Sequence, residues 1–165
     1  MNKSLSALAI ASIALFAAAG VQAQAVRTEH NMSLDLANRI ATAAVASCLE
    51  KGYAVTTTVV DRAGTVRAVQ RADNAGPHTV EASRAKAYTS ASAKNTTLAM
   101  MENAQKNPAA ATLVYLPGML LVGGGVPVKV GNEVIGAVGI GGAPGGHLDE
   151  QCAVAAIATV ADLLK

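Results

Sequence analysis

The sequence predicts an α+β domain in which helices cover one antiparallel sheet. Four segments rich in β-branched residues are joined in pairs by short turns, at Arg62-Ala63-Gly64 and Gly131-Asn132, which is typical of hairpins. These segments are residues 53–61, 65–71, 126–130 and 133–140. Because hairpins join antiparallel neighbours, the segments with helical apolar spacing must pack on the faces of an antiparallel sheet.

The remaining elements complete the predicted order α-β-β-α-α-β-β-β-α. Ser33 can cap a first helix that stops at Gly52, and Pro77 suits the first position of a second helix. A third helix stops before Pro108. The predicted spans are 33–51, 77–94 and 96–106 for these helices, 119–122 for a short strand, and 147–164 for the last helix.

The start of the chain carries the pattern of a secretory signal peptide. A positively charged start precedes an apolar run of about fifteen residues, and small residues suited to cleavage after Ala23 or Ala25 follow it. The run is shorter than the roughly 20 apolar residues that cross a bilayer. We therefore expect a periplasmic or secreted protein with no integral membrane segment in the mature chain. The predicted organisation is a signal peptide at 1–23, a flexible segment at 24–32 and a single domain at 33–165.

The composition limits the kind of core and the kind of partner. The chain is 52% hydrophobic but only 2% aromatic, so aliphatic side chains must form the core. Small side chains each bury little area, at roughly 25 cal/mol per Å². A homo-oligomer that buries further apolar surface would add stability. The formal net charge of +2 and the lack of a basic run with interleaved aromatics argue against a nucleic-acid partner.

Cys48 and Cys152 lie on the apolar stripes of the first and last predicted helices. Disulfides persist in the oxidising compartments that receive exported proteins. If the two helices share one face of the sheet, a disulfide would close a loop of about a hundred residues, worth roughly 4 kcal/mol. The sequence leaves open whether the two residues are bonded or are buried thiols, because the geometry cannot be read from it.

The stretch NAGPHTVEASRAKAYTS contains the first candidate site. His78 begins the second helix, and Lys86 lies two turns later on the same face. An imidazole can ligate iron, the free N–H groups of a helix start attract anions, and Lys86 or Arg84 suits the carboxylates of a haem. The alternative is a surface histidine on a helix with a solvated basic face.

The motif GHLDE at the start of the last helix contains the second candidate site. His147 and Asp149 can bind a metal ion, although no third ligand is evident nearby, and acids are also common in a first helical turn. Tyr88 and Tyr115 are further candidates for iron. No hydrolase or nucleotide motif is present. The glycine-rich stretch GGGVPVKVG predicts a close approach of backbones.

Two long stretches are AGPHTVEASRAKAYTSAS and GGGVPVKVGNEVIGAVGIGGAPGGHLDEQCA. They resemble the haem-binding-protein family that includes secreted haem-degrading proteins, the glycolate-operon accessory protein and the haem-binding domain of corrinoid-utilisation proteins. The resemblance runs from about residue 33 to 164. It implies a five-stranded antiparallel sheet similar to profilin or PAS folds, a homo-oligomer, and binding of haem or iron. The ligand-binding residues that it implies are His78, Thr79, Lys86, Thr89 and Asp149.

The leading hypothesis is an exported haem- or iron-binding protein, oligomeric and not catalytic in the usual sense, that sequesters or delivers haem. His78 would then face the iron. The alternative is an enzyme or accessory factor that acts on a small hydroxy or oxo acid, or a protein that binds a corrinoid. In that enzyme His78 or His147 would be the general base and Lys86 would hold the carboxylate. An assembly protein without a ligand is the third possibility.

Overall fold

The fold is one four-stranded antiparallel sheet between two layers of helices. The computed structural model describes residues 25–165, so the predicted signal peptide lies outside the described residues. The strands are β1 (Thr56–Asp61), β2 (Val66–Arg71), β3 (Gly125–Val130) and β4 (Glu133–Gly141). Their order in the sheet is β2-β1-β4-β3, and every neighbouring pair is antiparallel. Both predicted hairpins are therefore present.

Five α-helices accompany the sheet in the part of the chain that the structure describes. They are α1 (Leu34–Leu49), α2 (Thr79–Ala93), α3 (Thr97–Lys106), the single turn α4 (Pro108–Ala111) and α5 (Gly146–Ala158), with short 3-10 helices at Thr112–Tyr115 and Ala161–Leu163. The side chain of Ser33 caps α1, as predicted, by accepting a hydrogen bond from the Leu36 N–H at 3.2 Å. The last helix is shorter than predicted, because a 3-10 turn replaces its final residues.

The prediction of a fifth strand at 119–122 is wrong, and so is the predicted order that contained it. This segment is irregular, and its backbone groups bond to side chains of helices rather than to a neighbouring strand. The Leu120 N–H donates to Thr89 Oγ1 at 2.8 Å, and the Val122 carbonyl accepts from Thr97 Oγ1 at 2.7 Å. These bonds give the backbone N–H and C=O groups of the segment the partners that a neighbouring strand would otherwise provide.

The main core lies between the sheet and the pair α1 and α5. Ala37, Ala41 and Ala44 are fully buried on α1, and such small side chains let the helix lie close to the sheet. The structure contains a disulfide between Cys48 of α1 and Cys152 of α5, with Cα atoms 5.5 Å apart. It joins two helices on the same face of the sheet.

Helix α2 covers the other face and lies unusually close to β4. An added Cβ atom at Gly139 would collide with the backbone of Ser83 and Ala87, so only glycine permits this approach. Two buried hydroxyl pairs tie α2 to β1: Thr56 with Thr79 at 2.6 Å, and Thr58 with Ser83 at 2.8 Å. The position of α2 is thereby fixed, and with it the residues of the candidate site that α2 carries.

Thr57 differs from its two neighbours on β1, because its buried hydroxyl oxygen has no hydrogen-bond partner among residues 25–165. Replacing Thr57 with valine should raise the free energy of unfolding by about 1 kcal/mol, since an unpaired buried hydroxyl is replaced by a methyl group of similar shape. Thr58→Val is the matched control and should destabilise the protein, because it leaves Ser83 with one partner fewer. Chemical denaturation of both variants checks this, and a Thr57→Val variant less stable than the wild type would contradict it.

The segment before α1 is tied to the sheet by an ionic cluster. Arg62 contacts Glu133 at 2.5 Å and Glu29 at 3.1 Å, and His30 Nδ1 lies 2.7 Å from Glu133. The N–H of Met32 donates to the Ile135 carbonyl at 3.1 Å. The predicted flexibility of residues 24–32 stays a prediction, but these contacts hold the C-terminal half of that segment in place.

The hydrogen bonds from His30 and Arg62 lower the pKa of Glu133 below its ordinary value. The ionised carboxylate therefore stabilises the folded state at pH values above its ordinary pKa, and this stabilisation is lost as the pH falls through the lowered folded-state pKa. Glu133→Gln should be less stable than the wild type at neutral pH, and the difference should shrink in acid. Thermal unfolding across a pH series checks this, with Glu50→Gln at the end of α1 as the exposed control. A difference that is constant with pH would contradict it.

Candidate functional site

The main cavity, with a volume of about 630 Å³, lies between the starts of α2 and α5 and is the principal candidate site. Its volume lies within the roughly 300–1,000 Å³ of ligand pockets. The glycine-rich loop at 141–146 forms one wall. The other side chains that line it include Tyr53, Asn74, His78, Thr79, Ala82, Lys86, Leu120, Val122 and Asp149. The cavity therefore combines an imidazole, a buried ion pair and aliphatic groups.

Two helices start at this cavity, and no side chain of the described residues caps either start. The residue before α2 is His78 and the residue before α5 is Gly145, and neither makes a side-chain cap bond. The starts of α1, α3 and α4 are all capped by side chains. Free N–H groups and the positive end of a helix dipole favour anions. The cavity is thus suited to a ligand that carries carboxylates.

A buried ion pair joins α2 to α5 at the cavity. Lys86 Nζ lies 2.7 Å from Asp149 Oδ2 and donates to the Ile140 carbonyl at 2.9 Å, and both side chains are at most 5% exposed. Asp149 Oδ1 accepts from the Ala143 N–H at 3.0 Å, so the same carboxylate also holds the glycine-rich loop. Burial raises the pKa of Asp149, and the neighbouring Lys86 opposes this rise.

Gly124 lets this ion pair form where it does. Its φ of +119° is in the region that favours glycine, and a Cβ atom there would lie 2.7 Å from Asp149 Cβ and 3.0 Å from Lys86 Nζ. The predicted close approach of backbones in GGGVPVKVG is therefore present at this position. The adjacent acid, Glu150, lies near the backbone of Gly124 and the start of α3, and burial raises its pKa.

The structure brings together four of the residues that the sequence predicted as ligand-binding: His78, Thr79, Lys86 and Asp149 all line the cavity. Thr79 is buried, and its hydroxyl bonds to Thr56 and to the Gly76 carbonyl. It therefore belongs to the framework rather than to the free surface. Thr89 does not line the cavity. Its hydroxyl positions the segment at 119–122, which contributes two of the lining residues.

His147 lies apart from this site. It is exposed and lines a second cavity of about 400 Å³, together with Leu98 and Val154 among others. Its predicted partner Asp149 already accepts hydrogen bonds from Lys86 and from the Ala143 N–H of the loop. Within residues 25–165, no three His, Cys, Asp or Glu side chains are grouped so as to hold a metal ion. Tyr115 is 83% exposed, and neither it nor Tyr88 lines the main cavity.

Sequence reasoning missed Asn74, Leu120 and Val122 as lining residues. Asn74 has a φ of +66°, a conformation that asparagine tolerates better than most residues. Its place in the turn-forming stretch NAG is the sequence feature that could have indicated this bend. No local pattern marks Leu120 or Val122, because they line the cavity only through the irregular path of their segment. Their contribution depends on tertiary structure.

A family model described as "Haem degrading protein HbpS-like" matches residues 32–158. The chain belongs to this family. The family resemblance stated from the sequence motifs is therefore confirmed. Within residues 25–165, no helix has the length and apolar character needed to span a membrane.

Three relatives illustrate the similarity. A crystal structure of a double mutant of HbpS from Streptomyces reticuli has 34% identity and a TM-score of 0.78, covering 87% of this chain and 98% of that one. Protein GlcG from Escherichia coli (strain K12) is 32% identical over 115 residues, which are 70% of this chain and 84% of GlcG. A crystal structure described as a PduOC:heme complex, at 24% identity and a TM-score of 0.69, covers 78% of this chain and 94% of that one and shares the fold.

Proposed function

We propose that this protein is an exported haem- or iron-binding protein that sequesters or delivers haem, and that haem binds in the main cavity. The observation that carries the proposal is the exposed imidazole of His78 on the wall of a cavity where two uncapped helix starts meet. Family membership supports the ligand class, as does the haem complex described for PduOC.

The chemistry of the lining fits a haem. His78 is the histidine that lines this cavity among the described residues, and an imidazole is a common axial ligand of haem iron. Leu120 and Val122 offer aliphatic contact for the porphyrin ring, and the positive dipole ends of the two helix starts suit its propionates. Lys86 contributes less charge than the sequence suggested, because Asp149 already neutralises it.

Export and assembly are further parts of the proposal. The signal pattern at 1–23 supports export, and N-terminal sequencing of protein recovered from the periplasm or medium tests it.

The small side chains of the core and the exposed Val114, Tyr115 and Leu116 support a homo-oligomer, because these apolar groups gain from further burial. Light scattering of the mature protein tests the subunit count, and a monomer at all concentrations would contradict this part.

Hemin titration of the mature protein, followed in the Soret region, tests haem binding itself. We expect a saturable shift at about one haem per subunit, with a dissociation constant of about 1 μM or less, which corresponds to roughly −8 kcal/mol. A spectral change that does not saturate would contradict the proposal.

A further inference from the structure

Lys86 differs from the other lysines of the described chain. It is 4% exposed, whereas Lys51, Lys94, Lys106, Lys129 and Lys165 are exposed. Its ammonium group has three N–H donors, and two acceptors lie within hydrogen-bond distance, the Ile140 carbonyl and Asp149 Oδ2. Because Lys86 also lines the main cavity, a small molecule that enters the cavity can reach a largely desolvated amine.

We propose that Lys86 is a nucleophile that forms an imine with a small 2-oxo acid bound in the main cavity. Lysine amines are the residue type used for this chemistry, and Lys86 is almost inaccessible to bulk water while it lines the cavity. Asp149 lies 2.7 Å from Nζ and is placed to exchange protons with it. The uncapped starts of α2 and α5 suit the carboxylate of such an acid, and an amine suits its ketone or aldehyde carbon.

The proposed reaction balances without any further reactant. Asp149 takes a proton from the Lys86 ammonium, the nitrogen lone pair forms a bond to the carbonyl carbon, and the carbonyl electron pair moves to oxygen. That oxygen takes the proton from Asp149. Asp149 then removes a second proton from nitrogen and gives it to the hydroxyl, which leaves as water. The products are an iminium at Lys86, water and an ionised Asp149.

Reductive trapping tests this inference. The mature protein is incubated with pyruvate and cyanoborohydride, and the modified residue is located by peptide mass spectrometry. We expect the adduct at Lys86 before any exposed lysine, and its loss in Lys86→Arg, a variant that keeps the positive charge beside Asp149. Lys129→Arg is the matched control on the exposed surface and should leave the Lys86 adduct unchanged. Lactate, which has no carbonyl carbon open to attack, should give no adduct.

The opposing view is that Lys86 and Asp149 only hold α2, α5 and the glycine-rich loop together. In that case Lys86 stays unmodified while exposed lysines react, or no lysine reacts, and either result would overturn the inference. Circular dichroism must show that Lys86→Arg is folded. If it is not, competition by lactate replaces the variant: a large excess of lactate should lower the yield of the Lys86 adduct. An adduct yield that lactate leaves unchanged would overturn the inference. Haem binding is measured separately, so the two proposals can fail independently.

Discussion

Replacing Lys86 with methionine is expected to lower the free energy of unfolding by about 3–5 kcal/mol at neutral pH, the cost of leaving one member of a buried ion pair without its partner. Asp149 would then be a buried carboxylate that keeps the hydrogen bond from the Ala143 N–H but has lost its cationic partner. Burial already raises its pKa, and removal of Lys86 removes an effect that lowers it. The loss of stability should therefore diminish as the pH falls and Asp149 becomes protonated.

Urea denaturation at two pH values checks this expectation. Lys129→Met is the matched control, because Lys129 is exposed on β3 and should change stability little. The double variant Lys86→Met with Asp149→Leu should be more stable than Lys86→Met alone, since neither charge is then left unpaired. A Lys86→Met variant as stable as the wild type would show that the ion pair contributes nothing to the fold.

Removal of the disulfide is the second change with a large expected effect. The double variant Cys48→Ala with Cys152→Ala should lose about 2–5 kcal/mol, because the unfolded chain is no longer constrained by a loop that spans 104 positions. The two cysteines are fully buried in the core between α1, α5 and the sheet. Cys152 also lies one turn after Asp149, so α5 connects the disulfide to the cavity.

Guanidinium unfolding of this variant, beside the wild type with and without a reductant in the denaturant, provides the measurement. The reduced wild type should unfold at the same denaturant concentration as the alanine variant, apart from the small change in packing. Peptide mapping under non-reducing conditions must find the Cys48–Cys152 peptide in the wild type. Equal stability of the oxidised wild type and the variant would contradict the expected role of this disulfide.

Local patterns predicted much of the fold. Both hairpins, the capped start of α1 and the close backbone approach at Gly124 follow from residue type and short-range spacing. The segment at 119–122 could not be predicted in the same way, because its apolar residues are typical of a strand. Its backbone is satisfied instead by hydroxyls of Thr89 and Thr97, which are distant in sequence.

The candidate site was only partly predictable for the same reason. The helix start at His78 is a local feature, and the structure places that residue on the cavity wall. The pairing of Lys86 with Asp149 joins positions 63 residues apart, and spacing along α2 gave no sign that the lysine is buried. An isolated lysine on a polar helix is ordinarily solvated, so only the tertiary structure shows that its charge is already neutralised.

The measurement that tests the central claim most directly compares hemin binding by His78→Ala and His147→Ala. Each variant removes one exposed histidine at the start of a helix, but only His78 lines the main cavity. We predict that His78→Ala weakens binding by about tenfold or more, a loss of roughly 1.4 kcal/mol, and that His147→Ala binds as the wild type does. Weakening by His147→Ala with no effect of His78→Ala would contradict the account and move the haem to the second cavity.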